Sequence, residues 1–560
     1  MENLNDFATA AAATQNPQTA PADLAVIAQN FPGLRAAVAG HPNVYPSLLD
    51  WLDQTGDPAV QAAVAARRGT VAPGPTFAPA TQPVPTPVFQ PTYQGYSHGY
   101  SQGYPAAQPA PRRGKGVLTA VLIVVVLAII AALVFFVVKP GGIFGGGKAS
   151  PKAPWSATWQ SADQASFVAS AIAPDGGVVA IGCTTSASSQ CQSLSDETTG
   201  VISKYDQNGK TAWYHTYGDG STLTNFSTLA IASDGTIVVG GFTNATSGDI
   251  TAANGGLDAF IATFSPDGKL KWAKAYGGSG DEWFNAVAIS NNTIFAVGVT
   301  SSSDDGFNAS ADNRDAFSAS ISMNGDLNWV KSYNGDSDDY FNAMAIAADG
   351  SIIVSGLTAS TTGDFPAAKG DEDALLASLK PDGSLAWAKT FGGSSNAAFY
   401  AVAVAPSGDI VAGGFSDSTD GDIPVTHGGE DAVVVSVSST GSLNWTKVVG
   451  GTDDDNIDSL AVGTDGTVIA AGDAYSTDGD FSGSHGGQDA FLLSMSSSGS
   501  QNWLKVYGGT DDDWFRFVNL AANGNIVVTG GTYSTDGDFP SNNGNQNGII
   551  ASLKPDGSLS

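Results

Sequence analysis

The sequence predicts an all-β, seven-bladed β-propeller closed by pairing of its N- and C-terminal ends, plus one transmembrane helix and a small N-terminal α-helical domain. Three observations predict it: a tryptophan recurring about every 58 residues, an uncharged run of 22 residues, and an Ala/Leu/Val-rich N-terminal stretch with helical spacing.

The repeat comes first. Trp213, Trp272, Trp329, Trp387, Trp445 and Trp503 are separated by 59, 57, 58, 58 and 58 residues. The unit that starts at Trp387 holds four alternating apolar stretches of strand length: Phe399–Ala405, Ile410–Phe415, Ala432–Ser438 and Leu443–Val449. Ser407-Gly408 and Thr440-Gly441 suit tight hairpins, and most other repeats carry Asp-Gly there. Four antiparallel strands per unit make a propeller blade. Counting back 58 residues from Trp213 reaches Trp155, where WSATW fits the columns of WAKTF at Trp387. Residues 155–560 number 406, seven units of 58. The last unit stops at DGSLS, where its outer strand is due, so Trp155–Gln160 is expected to supply that strand and cover an otherwise exposed edge.

The units GGSGDEWFNAVAISNNTIFAVGVTSSSDDGF from Gly277 and GGTDDDWFRFVNLAANGNIVVTGGTYSTDGDFP from Gly508 resemble the bacterial β-propeller repeat family. The resemblance covers residues 155–560 and implies a secreted or surface propeller with no assigned chemistry. In the first repeat TTSASSQCQSLSDETTG replaces the usual loop. The contexts DGSLAW and NGKTAW also resemble pyrroloquinoline-quinone-type propellers, in which the tryptophan docks neighbouring blades.

Val117–Val138 is the uncharged run, long enough at ~1.5 Å per residue to cross a ~30 Å hydrocarbon core. Arg112, Arg113 and Lys115 precede it, which places the N-terminus in the cytoplasm and the C-terminal part outside, in signal-anchor topology. The expected organisation is a helical domain at 1–68, a Pro/Tyr/Gln/Gly-rich linker at 69–116, the span at 117–138, a short tether at 139–154 and the propeller at 155–560. Within the first domain Leu24, Ile27 and Ala28, then Leu48, Leu49 and Leu52, recur at helical spacing, punctuated by prolines 32, 42, 46 and 58. Its patterns DLAxIA, FPxLRxxVAxHP, YPxLLxWL and GDPxVxxAxxxR resemble the variant leucine-rich-repeat domain of actinobacterial membrane proteins, over about 4–68. That resemblance implies an interaction module without known catalysis, with His41 a structural part of the pattern.

Charge is partitioned. Residues 153–560 carry 14 Lys/Arg against 47 Asp/Glu, whereas residues 1–116 carry six of each. Such a field repels nucleic acid, excluding it as a partner, and attracts cations. Cys183 and Cys191 are the only cysteines, and outside the membrane they are a candidate disulfide across a short loop. No C-x-x-C or Cys/His cluster points to zinc.

In a four-stranded meander the two tight hairpins share one rim, and the longer second-to-third and blade-to-blade loops share the other. The long-loop rim carries an acidic column at Asp281, Asp338, Asp454 and Asp512, followed by Glu282, Asp339, Asp455 and Asp513. Asp249, Asp364, Asp422, Asp480 and Asp538 add to it from the second-to-third loops. Adjacent carboxylates among small residues are candidate Ca²⁺ ligands, the only cofactor expected, though no EF-hand loop is present; Asp also stabilises turns without metal. Asp258, Asp315, Asp373, Asp431 and Asp489 precede the third strand, one per blade, and read as architecture. Trp283, Tyr340 and Trp514, beside the acidic column, either stack on a sugar or pack under the loops. His427 and His485 occupy equivalent loop positions, with no nucleophile fixed near them for a triad.

These features favour a non-enzymatic, membrane-anchored cell-surface binding protein whose acidic face meets an extracellular protein or glycan. The alternatives are a transmembrane sensor or scaffold relaying to a cytoplasmic protein partner, and a wall-glycan enzyme. Near-identical loops in several blades disfavour the single privileged carboxyl pair that a glycosidase needs.

Overall fold

The computed structural model describes most of residues 154–559 and scattered residues between 10 and 64; residues 1–9, 65–153, 160–163, 186–197, 219–221, 253–255, 311–312, 426, 540–544 and 560 lie outside the description. The chain divides into two compact units, Met1–Pro111 and Arg112–Ser560.

Strand-length alternation becomes seven four-stranded antiparallel sheets. Six follow chain order; blade five, for example, is Ala397–Val404, Ile410–Ser416, Asp431–Val437 and Leu443–Val449. Blades one to four begin at Gln164, Thr224, Glu282 and Asp339, and blades six and seven at Asp455 and Asp513. The first three strands of each blade are almost wholly buried, and the fourth is half-exposed. First strands of successive blades touch one another, so they form the inner ring. The cores between blades are apolar: Phe226, Phe284, Phe341, Phe399 and Phe515 occupy one register position and are fully buried.

The seventh sheet has the order Asp513–Leu520, Ile526–Thr532, Asn547–Leu553 and then Trp155–Trp159. Trp155 pairs with Ser552 and Trp159 with Gly548. The ring closes through its two ends.

Each outer-strand tryptophan leans on the third-to-fourth hairpin of the next blade. The indole N–H of Trp272 donates to Met323 O at 3.1 Å, Trp387 to Ser439 O at 3.2 Å and Trp445 to Ser497 O at 3.1 Å. The hairpin glycine is required twice over. Gly209 has φ +78°, and a Cβ there would lie 2.5 Å from the Trp155 ring. Trp155 therefore docks the last sheet onto the first blade, as the other tryptophans do between their neighbours.

In the N-terminal unit Leu24, Ile27, Ala28, Val38, Leu48, Leu52, Val60 and Val64 are buried in one apolar cluster. Its one α-helix with described ends is Arg35–Gly40, entered through the 3₁₀ turn Pro32–Leu34. His41 is buried, its Nε2 2.9 Å from Asn16 O.

The expected fold class needs one correction. Among the described residues no helix is long and apolar enough to cross a membrane. The six residues of Arg35–Gly40 reach only about 9 Å at ~1.5 Å each. The run Val117–Val138, the linker 69–116 and the tether residues 139–153 lie outside the described residues.

Closure can be tested at Trp159, which stacks on buried Phe167 of blade one with ring centroids 5.6 Å apart. Trp159→Ala should cost about 2–3 kcal/mol, below the usual range for a fully buried ring because Trp159 is partly exposed. Urea denaturation of the two proteins measures the difference.

Candidate functional site

The acidic columns converge on the long-loop rim, and there most of the carboxylates accept at least one backbone N–H. Asp281 accepts from Leu257 N at 3.0 Å, Asp338 from Arg314 N at 2.9 Å, Asp454 from Glu430 N at 3.1 Å and Asp512 from Gln488 N at 3.0 Å. The following carboxylates start the first strands and are fully buried. Glu282 accepts from Gly278 N at 2.7 Å, Asp455 from Gly451 N at 3.0 Å and Asp513 from Gly509 N at 2.8 Å. Asp339 takes the Ser360 hydroxyl at 2.9 Å. In the second-to-third loops Asp364, Asp480 and Asp538 accept from Asn334, Gly450 and Gly508 N, while Asp422 pairs with Lys369 and Asp249 is exposed. Asp373, Asp431 and Asp489 accept from Lys369, His427 and His485 N at 3.1, 3.2 and 2.6 Å. Asp315 takes Ser310 N, and Asp258, like these four, is fully buried.

A further column escaped the reading of the sequence. Asp304, Asp420, Asp478 and Asp536 accept from Ser279, Ser394, Thr452 and Thr510 N at 2.9, 2.7, 2.8 and 2.9 Å. Its signal was present in the recurring STDGD. In blades three, five, six and seven the second-to-third loop thus staples the blade-to-blade loop beside it.

These contacts bear on two of the candidate assignments. Among the described residues no group of three or more His, Cys, Asp or Glu could hold a metal ion. The candidate calcium residues Asp281, Asp338, Asp339, Asp454, Asp455, Asp512 and Asp513 instead accept hydrogen bonds from the protein itself. Trp283, Tyr340 and Trp514 are 2%, 4% and 6% exposed, which leaves no open face for a sugar. Trp283 packs edge-on to Phe242 under Arg314, and Trp514 lies beside Tyr533. His427 and His485 are exposed, and His427 Nδ1 lies 3.3 Å from Asp431. Cys183 is buried and disulfide-bonded; Cys191, the only other cysteine, lies outside the described residues.

The unusual chemistry sits further in. Every first strand carries a bulge, which places Val168, Ser227, Asn285, Asn342, Tyr400, Asp458 and Arg516 at equivalent positions of the inner ring. Asn285 and Asn342 donate to Phe341 O and Phe399 O of the next blade at 2.9 and 3.1 Å. Between blades six and seven, Arg516 Nη1 meets Asp458 at 2.5 Å and Asp473 at 2.8 Å. Asp473 stands where blades two to five carry Phe242, Val299, Leu357 and Phe415. Gln488 donates to its other oxygen. Burial opposes the Arg516 charge, but the two carboxylates outweigh it and keep the guanidinium protonated. Burial pushes Asp458 up, with Arg516 pulling it back.

Close by, burial pushes Glu430 up to about 8, with Asp454, Asp417, Glu372 and Asp473 adding repulsion. Glu372 is raised by burial and by Asp338 and Asp371. Apart from Glu372 and Glu430, which share one position in adjacent blades, none of these residues recurs around the ring, so recurrence does not reveal them. Their signal was the failure of the repeat at fixed positions. A separate cavity of about 200 Å³ lies on the opposite, hairpin rim, bordered by Ser407, Asp409, Asp465 and Ser497.

Fold and rim together define a seven-bladed β-propeller with a carboxylate-stapled long-loop face. Residues 8–68 match the family model of the Leucine Rich Repeat Variant domain. No curated protein matches the chain. Solved structures similar to it include a catalytically inactive virginiamycin B lyase from Staphylococcus aureus, at 9% identity and TM-score 0.40, covering 72% of this chain and 100% of that one. The WD40 domain of Neurospora crassa Pan2 follows at 10% identity and TM-score 0.39, covering 69% and 89%. An aldose sugar dehydrogenase from Streptomyces coelicolor in its PQQ-bound form has 10% identity and TM-score 0.32, covering 72% and 99%. At such values the likenesses carry nothing about chemistry.

Two predictions follow from the buried charges. Asp339 and Asp455 are pushed up to about 7 and Asp513 to about 6, chiefly by burial, against an unfolded value near 3.8. The folded state then holds these protons more tightly, a stabilisation complete below about pH 4 and lost as pH rises through 6–7. Exposed Asp206, Asp234 and Asp465 are held low by turn N–H groups, and their contribution disappears as pH falls below about 4. Thermal melts should therefore give a higher Tm at pH 5 than at pH 8. Separately, Arg516→Ala leaves two buried carboxylates uncompensated and should cost about 3–5 kcal/mol in chemical denaturation.

Proposed function

We propose that the chain is a non-catalytic binding protein whose long-loop face receives a protein or glycan partner at the inner ring. One observation carries this reading. The residue immediately before the third strand is Thr198, Leu257, Arg314, Glu372, Glu430, Gln488 and Gln546 in successive blades, while the next residue is Asp in five of the seven. A constant scaffold position thus stands beside a chemically varied one, and two of the varied residues, Glu372 and Glu430, act on Tyr400 of the inner ring. Gln488 reaches Asp473, and the Arg314 guanidinium lies 5.5 Å over the Trp283 ring. Stapled loops present these side chains at fixed positions, which lowers the ordering cost of binding.

In this reading the propeller works outside the cell, supported by the basic residues that precede the apolar run and by the acidity of the domain. Membership of the bacterial β-propeller repeat family belongs to the same proposal, on the motifs from Gly277 and Gly508.

The test is charge reversal on the varied position. Glu372→Lys combined with Glu430→Lys should abolish capture of cell-surface material by the full chain, read by pulldown from intact cells. The same reversal at Asp409 and Asp465 on the hairpin rim should leave capture intact. Equal capture by both variants would place the binding face elsewhere.

A further inference from the structure

Two adjacent blades break the rim pattern in opposite ways. In blade five Asn396 and Ala397 stand where blades four and six carry Asp338–Asp339 and Asp454–Asp455, so two carboxylates are lost. Blade six instead adds polar groups to an apolar layer. In blades three to five one cross-strand pair near the long-loop end is Trp283 with Val299, Tyr340 with Leu357 and Ala398 with Phe415, all within one buried apolar cluster. In blade six the same pair is Asn456 with Asp473. No other blade fills both places with amide or carboxyl groups.

Direct contacts gather further groups on that pair. Buried Asp473 accepts from Arg516 Nη1 at 2.8 Å on Oδ1 and from the Gln488 amide on Oδ2. Arg516 Nη1 also meets Asp458 at 2.5 Å. Asn456 stands directly across from Asp473, at the ~5 Å usual between paired Cβ atoms. Both donors and an acceptor are left over. Nε and Nη2 of Arg516 meet no acceptor among the described residues, and the side chain keeps 16% of its surface open. Asn456 Oδ1 is a buried acceptor with no donor. Tyr475 lies two residues beyond Asp473, on the same face of the extended chain. Its N–H donates to Asp454 O, as that of Tyr533 does to Asp512 O in blade seven, so the two tyrosines are equivalent. Tyr533 packs beside Trp514, with ring centroids 5.8 Å apart. Blade six has Asn456 in place of that indole, and Tyr475 is 47% exposed.

We propose that Arg516, Asp473 and Asn456, with the exposed Tyr475 ring, form a binding site for a neutral sugar unit of a glycan. The cluster leaves donors and an acceptor unfilled, and a hydroxyl answers both because it accepts and donates. The unused edge of the guanidinium is a fork that spans two oxygens, and adjacent hydroxyls of a sugar ring supply two. An anionic ligand would add a third negative charge beside Asp458 and Asp473, and a cationic one would meet the unused N–H groups of Arg516. The tyrosine ring gives the apolar face of the sugar a surface to lie on. The inference rests on the proposed binding face and names the chemistry that it recognises.

Biolayer interferometry of the full-length protein tests it on immobilised dextran, mannan, galactan and polygalacturonate. At least one of the three neutral polymers should bind, with affinity unchanged between about 0.1 and 1 M salt, and polygalacturonate should not. Arg516→Lys keeps the positive charge that Asp458 and Asp473 need but removes the fork, and should weaken binding at least about tenfold. Tyr475→Ala should weaken it about three- to tenfold through the lost ring contact, and Asn456→Ala by about the same factor through a lost hydrogen bond. Asp409→Asn on the hairpin rim should leave affinity unchanged. Should Arg516→Lys prove unstable in a thermal melt, Tyr475→Ala, at an exposed position, decides the matter. Binding of polygalacturonate alone, no binding to any neutral polymer, or neutral binding unmoved by Tyr475→Ala and Asn456→Ala overturns the sugar site. Cell-surface capture persisting in that case leaves the binding face standing and removes only its proposed ligand.

Discussion

The long-loop rim depends on one interaction, a carboxylate accepting a backbone N–H from a loop that has no ladder to join. Connections between blades leave sheet geometry, so their amides need other partners. Aspartate at fixed points of the repeat supplies the acceptor. The pair Asp454–Asp455 takes the amides of Glu430 and Gly451, and Asp478 takes that of Thr452. A negative charge on a domain of net −33 is therefore partly internal. Its electrostatic cost is visible in the raised carboxyls at the starts of the first strands.

Because these staples are spent on architecture, the acidity of the face is a poor guide to what it binds. The informative positions are those at which a blade abandons the pattern. Blade six introduces Asp458 and Asp473, blade seven answers with Arg516, and blade five omits its staple at Asn396 and Ala397. A ring built of near-copies would offer seven equivalent sites. These departures, together with Gln164 and Thr224 at the starts of blades one and two, make the sectors of the inner rim chemically unequal.

Much of the fold was legible because it is periodic. The tryptophan spacing gave the blade count, and the strand limits of blade five fall within two residues of the apolar stretches read from the sequence. Closure by Trp155–Trp159 was legible for the same reason, since a missing strand in a counted series has only one place to come from. The site was less legible. Trp283, Tyr340 and Trp514 look like surface aromatics in one dimension, because alternation does not tell which face of a first strand is buried when both faces are. Tyr400, Asp458 and Arg516 reach the inner ring only through the bulge, which shifts the register by one residue and leaves no mark in hydrophobic alternation. The apolar run at 117–138 was read from composition alone.

The pairing of Trp155 with Ser552 also governs the order in which the molecule can be made. A ribosome delivers the opening strand of this ring first and its mate last, so Trp155–Trp159 waits without a partner while six whole sheets are synthesised. Contacts so distant along the chain are slow to form and carry a loop-closure cost, so the seal is the final step of assembly. Until then the nascent protein exposes an unpaired tryptophan-rich strand, which makes chaperone protection during synthesis most valuable at that strand.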